Sequence, residues 1–246
     1  MYFRILGPLE VLATDGRALR LAGHKQRVVL SALLTAANDV VSVDRLVDWL
    51  WFERPPRSAR TVVQAHVSRL RRTLEPDRPP WATSRMLLRS HRGYLLRIDP
   101  NQLDALRFER LLGEGIAAME RGDARAAAHV LADALALWRG APLADVAAVE
   151  AAQATIARLE SLRLSATVLR IDADLSLGRH AGLVPQLEEL VRTYPLDERL
   201  CGQLMLALYR SGRQADALAA YERMRTALAA DLAIAPAPTL QRLRTA

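Results

Sequence analysis

The sequence predicts a mostly α chain with a small β component, in two parts: a mixed N-terminal part over residues 1–98 and an all-α part over 99–246. Three observations predict it. Short strand-like runs bounded by turn residues occur before residue 99 and not after it. Beyond that point the apolar residues follow a helical period. Charge divides at the same place: 17 basic and 8 acidic residues give +9 over 1–98, while 17 and 19 give −2 over 99–246, within a total of +7. A basic part joined to a weakly acidic one points to an anionic polymer at one end and a different partner at the other. Lys25 is the single lysine among 34 cationic residues, so a general arginine bias lowers the weight of any one arginine.

Tyr2–Ala22 reads as short strands, YFRIL, LEVLA and ALRLA, with Gly7-Pro8 between the first two and an Asp15-Gly16 hairpin turn before the third. The period then changes. Lys25–Ala37 carries Val28, Val29, Leu33 and Leu34 on one helical stripe, and Asn38-Asp39 ends it. Ser42 is placed to N-cap a second helix, Val43–Trp51, with Leu46, Val47 and Leu50 inward. Phe52–Pro56 is a loop.

The third helix, within Arg57–Leu74 (RSARTVVQAHVSRLRRTL), organises the N-terminal part. Val63, Val67, Leu70 and Leu74 recur at the spacing of one buried stripe. At about 100° per residue, Thr61, Gln64, Ala65, Ser68 and Arg72 point the other way, flanked by Arg57, Arg69 and Arg71. This outward face has no acid before Glu75, whereas a helix meant for water alone mixes both signs. Small and amide side chains suit approach to base edges, and guanidinium groups suit phosphates. Thr61, Gln64 and Ser68 are therefore the candidates for bases.

Pro76–Pro80 closes the helix. Trp81–Arg85 looks irregular. Met86–Leu88 and Tyr94–Ile98 are two short strands joined by Arg89–Gly93, which places Arg89 and Arg92 at a hairpin tip. Strands, three helices and a basic-tipped hairpin, in that order, make a winged helix-turn-helix. Arg57, Arg69, Arg71, Arg72, Arg89 and Arg92 are the expected contacts to phosphates or the minor groove.

Asp99-Pro100 marks the predicted domain boundary. Beyond it, a glycine followed by Asp or Arg recurs at Gly122, Gly178 and Gly212, the last two 34 residues apart, the period of a tetratricopeptide helix pair. Ala127 and Ala217 follow Gly122 and Gly212 by five residues, small enough for close helix contact. Helices are predicted at Leu103–Met119, Ala124–Trp138, Val149–Leu177, Leu183–Thr193, Glu198–Arg210 and Gln214–Leu228. Stacked pairs of this kind form a solenoid, and a generic helical bundle is the alternative.

Other function classes fit poorly. His24, His66, His91, His129 and His180 are scattered without metal-ligand spacing. Asp172 with Asp174, and Glu188 with Glu189, are too close in sequence to share a helix face as a catalytic pair. There is no Gly-x-Ser-x-Gly elbow and no phosphate-binding Gly-rich loop, so neither an enzyme nor a cofactor is expected. Cys201, the single cysteine, excludes an internal disulfide and is expected in the core. No apolar stretch reaches the roughly 18 residues of a membrane span, and the chain opens on strand-like sequence without a signal peptide, so a cytoplasmic protein is expected. A peptide-binding scaffold with a nonspecific basic patch remains a rival. Sequence and salt dependence of binding separate it from a sequence-specific regulator.

The blocks FRILGPLEV, KQRVVLSALL, VVSVDRLVDWLW, HVSRLRRTL and RGYLL, followed by ALALWRGAPLADV, ARLESLRL, LGRHAGLVPQLEELV and LMLALYRSGRQADALAAYERMR, run through nearly the whole chain. In this order they resemble the Streptomyces antibiotic regulatory protein family: activators with an OmpR-type winged helix and a bacterial transcriptional activation domain of tetratricopeptide-like helices. The resemblance implies binding to direct repeats of double-stranded DNA and recruitment of RNA polymerase through its sigma factor and other subunits. It also implies control of secondary metabolism. A second copy of the chain is expected on the adjacent repeat, and the Phe52–Pro56 loop is a candidate polymerase contact. His66 stands where the family tends to have a bulky aromatic, and its angle on the helix predicts a packed histidine. The tail from Leu232 lacks the glycines common there. The appended nucleotide-binding, sensor and receiver domains of larger relatives are not expected.

Overall fold

The computed structural model describes residues 1–79 and 81–245. Pro80, part of the predicted close of the third helix, and Ala246 lie outside the described residues. The chain forms two compact units, one of residues 1–111 with 134–163 and one of 112–133 with 164–246.

In the first unit, β1 (Tyr2–Arg4) pairs antiparallel with β2 (Glu10–Leu12), Phe3 opposite Val11. The Asp15-Gly16 turn forms: Gly16 has φ +83°, Ala13 N–H donates to Arg17 O at 2.8 Å, and the Asp15 carboxylate accepts from Arg17 N–H. The third expected strand is reduced to one bridge between Leu12 and Ala18. Further along, the Gln26 side chain takes up Ala22 N–H at 2.7 Å, so that donor is not offered to a sheet.

Helix α1 (His24–Leu34) buries Val28, Val29, Leu33 and Leu34 as predicted, and Leu30 and Ala32 besides. It ends before Ala37. Asn38, at φ +68°, turns the chain and fastens it to the hairpin, donating N–H to Leu96 O and accepting Ile98 N–H on its side chain. Ser42 caps α2 (Val43–Trp51), its hydroxyl accepting Arg45 N–H at 3.1 Å. Leu46 and Val47 are buried, but Trp49 takes the inward place expected of Leu50, which is half-buried. Trp49 lies three residues after Leu46, on the same face, and covers more apolar surface.

Helix α3 (Ala59–Leu74) precedes a three-stranded sheet of order β3-β5-β4, in which β4 (Leu87–Ser90) and β5 (Gly93–Leu96) form a hairpin. The unpredicted β3 (Val40–Ser42) pairs antiparallel with β5, Ser42 opposite Gly93. A side chain on Gly93 would collide with Val41 O and come within 2.8 Å of Ser42 Cα. Glycine there lets β3 approach, and so fixes the hairpin against the start of α2.

Residues 99–111 and 134–163 complete this unit. Asp104, at the start of α4 (Asp104–Glu120), accepts Ile5 N–H and Leu6 N–H on its two oxygens at 2.8 and 3.0 Å. Asp145 accepts Leu9 N–H at 2.7 Å and pairs with Arg27 at 2.9 Å. The irregular segment between β1 and β2 thus has its donors met by carboxylates 98 to 136 residues away. Burial raises the Asp104 carboxyl above its ordinary range, opposed by those N–H groups and by Arg139. Phe108 meets Trp138 edge-to-face at 5.3 Å.

The second unit is helical. Its borders fall within α4, α5 (Ala124–Leu135) and α6 (Gln153–Ser176); α7 (Val184–Thr193), α8 (Glu198–Arg210), α9 (Gln214–Leu232) and a short unpredicted α10 (Pro238–Thr245) follow. Gly122, Gly178 and Gly212 have φ of +74°, +76° and +76°. Each donates to the carbonyl three residues back, and the next residue donates to the one five back, the same Schellman turn three times. A Cβ on Gly115 would lie 2.5 Å from Leu131, so α4 and α5 touch closely. Leu187, Leu200, Leu204, Leu208 and Tyr221 lie in a core that includes Cys201, whose thiol burial pushes up to about 11. Replacing Asp104 by Ala strands two buried N–H donors and should destabilise the first unit by about 2–4 kcal/mol, read by urea denaturation. An unchanged midpoint would show the carboxylate is dispensable there.

Candidate nucleic-acid interface

Helix α3 is placed by its apolar stripe. Val63, Val67, Leu70 and Leu74 are all 3% exposed or less, and each such burial contributes about 1.5–3 kcal/mol. With that side fixed, Thr61, Gln64, Ala65, Ser68 and Arg72 emerge on the opposite face, and all are exposed, as are Arg57 and Arg69. Arg60, off this face, pairs with Asp44 of α2 at 2.8 Å with both partners largely solvated, a contact worth about 0–1 kcal/mol. Among the described residues, no ion pair holds Arg57, Arg69, Arg72, Arg89 or Arg92.

Arg71 is different. Its Nε–H donates to Leu87 O at 2.9 Å and its guanidinium lies 5.9 Å from the Tyr94 ring centroid, tying the helix to the hairpin. Burial lowers its pKa, opposed chiefly by Tyr94. Part of its hydrogen-bonding capacity is therefore used within the fold.

The hairpin turn is tighter than expected. Ser90 and Gly93 are the closing pair, so the tip is His91-Arg92 alone. Arg92 sits at the tip. Arg89 does not: it lies within β4 opposite Tyr94, because the pairing extends two residues beyond Leu88 and leaves a two-residue turn. Arg89 is still exposed, and it borders an open groove of about 840 Å³ between the C-terminal half of α3 and β4, walled also by Ser68, Arg71, Arg72 and Leu88. Arg78 and Thr83, from the segment before β4, line the same groove, and sequence reasoning had not singled them out. Their signal is absent from the sequence because that segment is shaped by Glu75. Its carboxylate accepts Arg85 N–H at 2.8 Å and ion-pairs with Arg78 at 3.6 Å.

His66 is packed on the buried side of α3, at 8% exposure. Burial pushes its pKa below the usual 6.5, with Arg69 and Lys25 adding repulsion. Among the described residues, the acids on α6 are taken up by ion pairs and hydrogen bonds. Asp174 is held between Arg170 and Arg179, Asp172 by Arg199 and Gln203, and among the described residues no group of His, Cys, Asp and Glu could hold a metal. No helix of the described residues is long and apolar enough to cross a membrane.

A solvated, acid-free helix face beside a groove and a short hairpin is the arrangement of a winged-helix regulator. The model of the transcriptional regulatory protein C-terminal domain matches residues 16–96, and that of the bacterial transcriptional activator domain matches 103–246. The chain is 40% identical to the regulatory protein DnrI of Streptomyces peucetius over its whole length and 91% of that protein. It is 38% identical to the transcriptional regulator RedD of Streptomyces coelicolor, over 97% of this chain and 67% of that one. The regulatory protein AfsR of S. coelicolor is 39% identical, and there the match spans 24% of the relative. The solved structure of Mycobacterium tuberculosis EmbR in complex with a low affinity phosphopeptide superposes with a TM-score of 0.92 at 36% identity, covering 99% of this chain and 64% of that one. The chain belongs to the Streptomyces antibiotic regulatory protein family of transcriptional regulators, and not to an enzyme family.

Because the folded state resists protonating His66 while the unfolded chain titrates near 6.5, stability is unaffected by this group above that value. It falls as pH drops from 6.5 toward the lowered native value. His66→Phe should remove this acid-side loss in thermal melts between pH 7 and pH 5. An identical pH profile in the variant would remove the assignment.

Proposed function

We propose that this protein is a sequence-specific activator that binds direct repeats of double-stranded DNA upstream of a promoter and recruits RNA polymerase for a secondary-metabolite gene cluster. The observation that carries the reading is the exposed, acid-free face of α3 beside the cationic groove. Helix α3 enters the major groove. Thr61, Gln64 and Ser68 meet base edges. Arg57, Arg69, Arg72 and Arg89 hold phosphates, and Arg92 at the hairpin tip reaches the backbone or minor groove. Arg71 serves both ends, joining helix to hairpin through Nε–H and facing the groove that the backbone occupies.

Residues 1–98 act as the DNA-binding domain and residues 99–246 as the activation domain, even though the compact unit that holds the first also takes in 134–163. A charge of −2 over 99–246 suits a protein partner better than a second polyanion site. The partners are polymerase, through its sigma factor and other subunits, and a second copy of the chain on the neighbouring repeat. Repeats about 10–11 bp apart put both copies on one face of the duplex. The Phe52–Pro56 loop, with Phe52 52% exposed, is the candidate polymerase contact on the DNA-binding side. Action is cytoplasmic and needs no cofactor.

Gel shift against DNA upstream of the neighbouring genes tests the reading. The protein should prefer one upstream fragment over random duplex by about 10³ or more. Equal binding to both, falling only with salt, would favour a nonspecific scaffold. Gln64→Ala should relax base preference at one position by about 1–3 kcal/mol, measured by competition with base-substituted duplexes. Arg72→Ala should weaken binding to all sequences and lower the slope of log K against log salt by about 1. An unchanged slope would take Arg72 out of the phosphate set.

A further inference from the structure

Trp81 is 86% exposed, the highest value among the large hydrophobic side chains left on the surface. Indoles usually contribute burial to a core or an interface, so a solvated one on an ordered segment calls for a partner. Described residues on either side of Trp81 are held by hydrogen bonds. Glu75 accepts Arg85 N–H at 2.8 Å and Met86 N–H at 3.3 Å, and the Ser84 hydroxyl accepts Leu87 N–H at 3.0 Å. Ala82 N–H donates to Pro79 O at 3.0 Å, and the Arg78 guanidinium, paired with Glu75, donates to Ala82 O. Trp81 directly precedes these held residues and is open to solvent. The next three residues, Ala82, Thr83 and Ser84, form a wall of the groove that Arg72 and Arg89 share.

We propose that Trp81 is an additional DNA contact. Its indole lies along the sugar–phosphate backbone of the strand that Arg72 and Arg89 hold, with the ring face on deoxyribose and Nε1–H donating to a phosphate oxygen. This rests on the DNA-binding reading above. An apolar ring with a single donor suits a sugar flanked by phosphates, and its neighbours on the groove are cationic and hydroxylated, the complement of a polyanion. A backbone contact is indifferent to sequence, so the residue strengthens binding without choosing the site.

The test is acrylamide quenching of tryptophan emission, with and without duplex, alongside gel shifts of W81A and W81F on one-repeat, two-repeat and random-sequence DNA. Trp49 is buried and Trp51 and Trp138 are half-buried, so Trp81 is the emitter most open to quencher. In the unsubstituted protein, DNA should shield the emission; in W81F that shielding should vanish. W81A should lose about five- to tenfold in affinity on one-repeat DNA, and by a similar factor on random duplex at low salt. Its melting temperature should stay unchanged, since an exposed side chain supports no core. Full affinity of W81A for one-repeat DNA, or emission as quenchable in the complex as in the free protein, would overturn the proposal. A loss confined to two-repeat DNA would also overturn it, by making Trp81 a contact between copies. If the protein shows no preferred sequence yet Trp81 is shielded on random duplex, the regulator reading fails and the contact stands.

Discussion

The one-sided burial of α3 is the constraint from which the rest of the interface follows. Four apolar side chains at helical spacing leave no freedom in which face turns outward, because rotating the helix by one residue would expose Val63 and Leu70 and bury Gln64 and Ser68 without partners. At about 1.5–3 kcal/mol for each buried side chain, this packing outweighs the solvated Arg60–Asp44 pair several times over. The face thus freed carries short polar groups and unpaired guanidinium groups.

The hairpin depends on a second contact of a different kind. Gly93 lets β3 close against β5, and Arg71 binds the carbonyl of Leu87, so the two edges of the groove belong to one framework. Arg72 and Arg89 on the groove are exposed to solvent. Burial on the inner side of α3 instead lowers the pKa of His66. One helix therefore holds a packed histidine on its inner side and solvated arginines on its outer side.

Much of this was legible in the sequence, where a single element carried the signal. The stripe of α3, the Ser42 cap, the Asp15-Gly16 turn and the three left-handed glycines each depend on local chemistry at fixed offsets. What escaped depends on contacts across the chain. Strand β3 has three residues, too few to show alternation, and exists because β5 pairs with it. The run Ala18–Ala22 alternates well enough, yet Gln26 takes the Ala22 donor. The run RSHRG places Arg89 at the tip if all five residues form the turn, whereas the ladder closes at Ser90 and Gly93 and leaves two. Asp104, and Asp145 within 134–163, join the first unit by accepting backbone N–H groups 98 to 136 residues away, which no periodicity announces.

The account is tested most directly by locating α3 on the duplex. Cys201 is the single cysteine and is buried, so a Gln64→Cys variant accepts a thiol-linked iron chelate at one exposed position. Hydroxyl radicals generated there should cut both strands of the bound site about one major groove wide, within the repeat. Cleavage from position 64 no stronger than from a chelate on Arg97→Cys, an exposed position just beyond β5, or none inside the repeat, would contradict the placement of this helix and the regulator built on it.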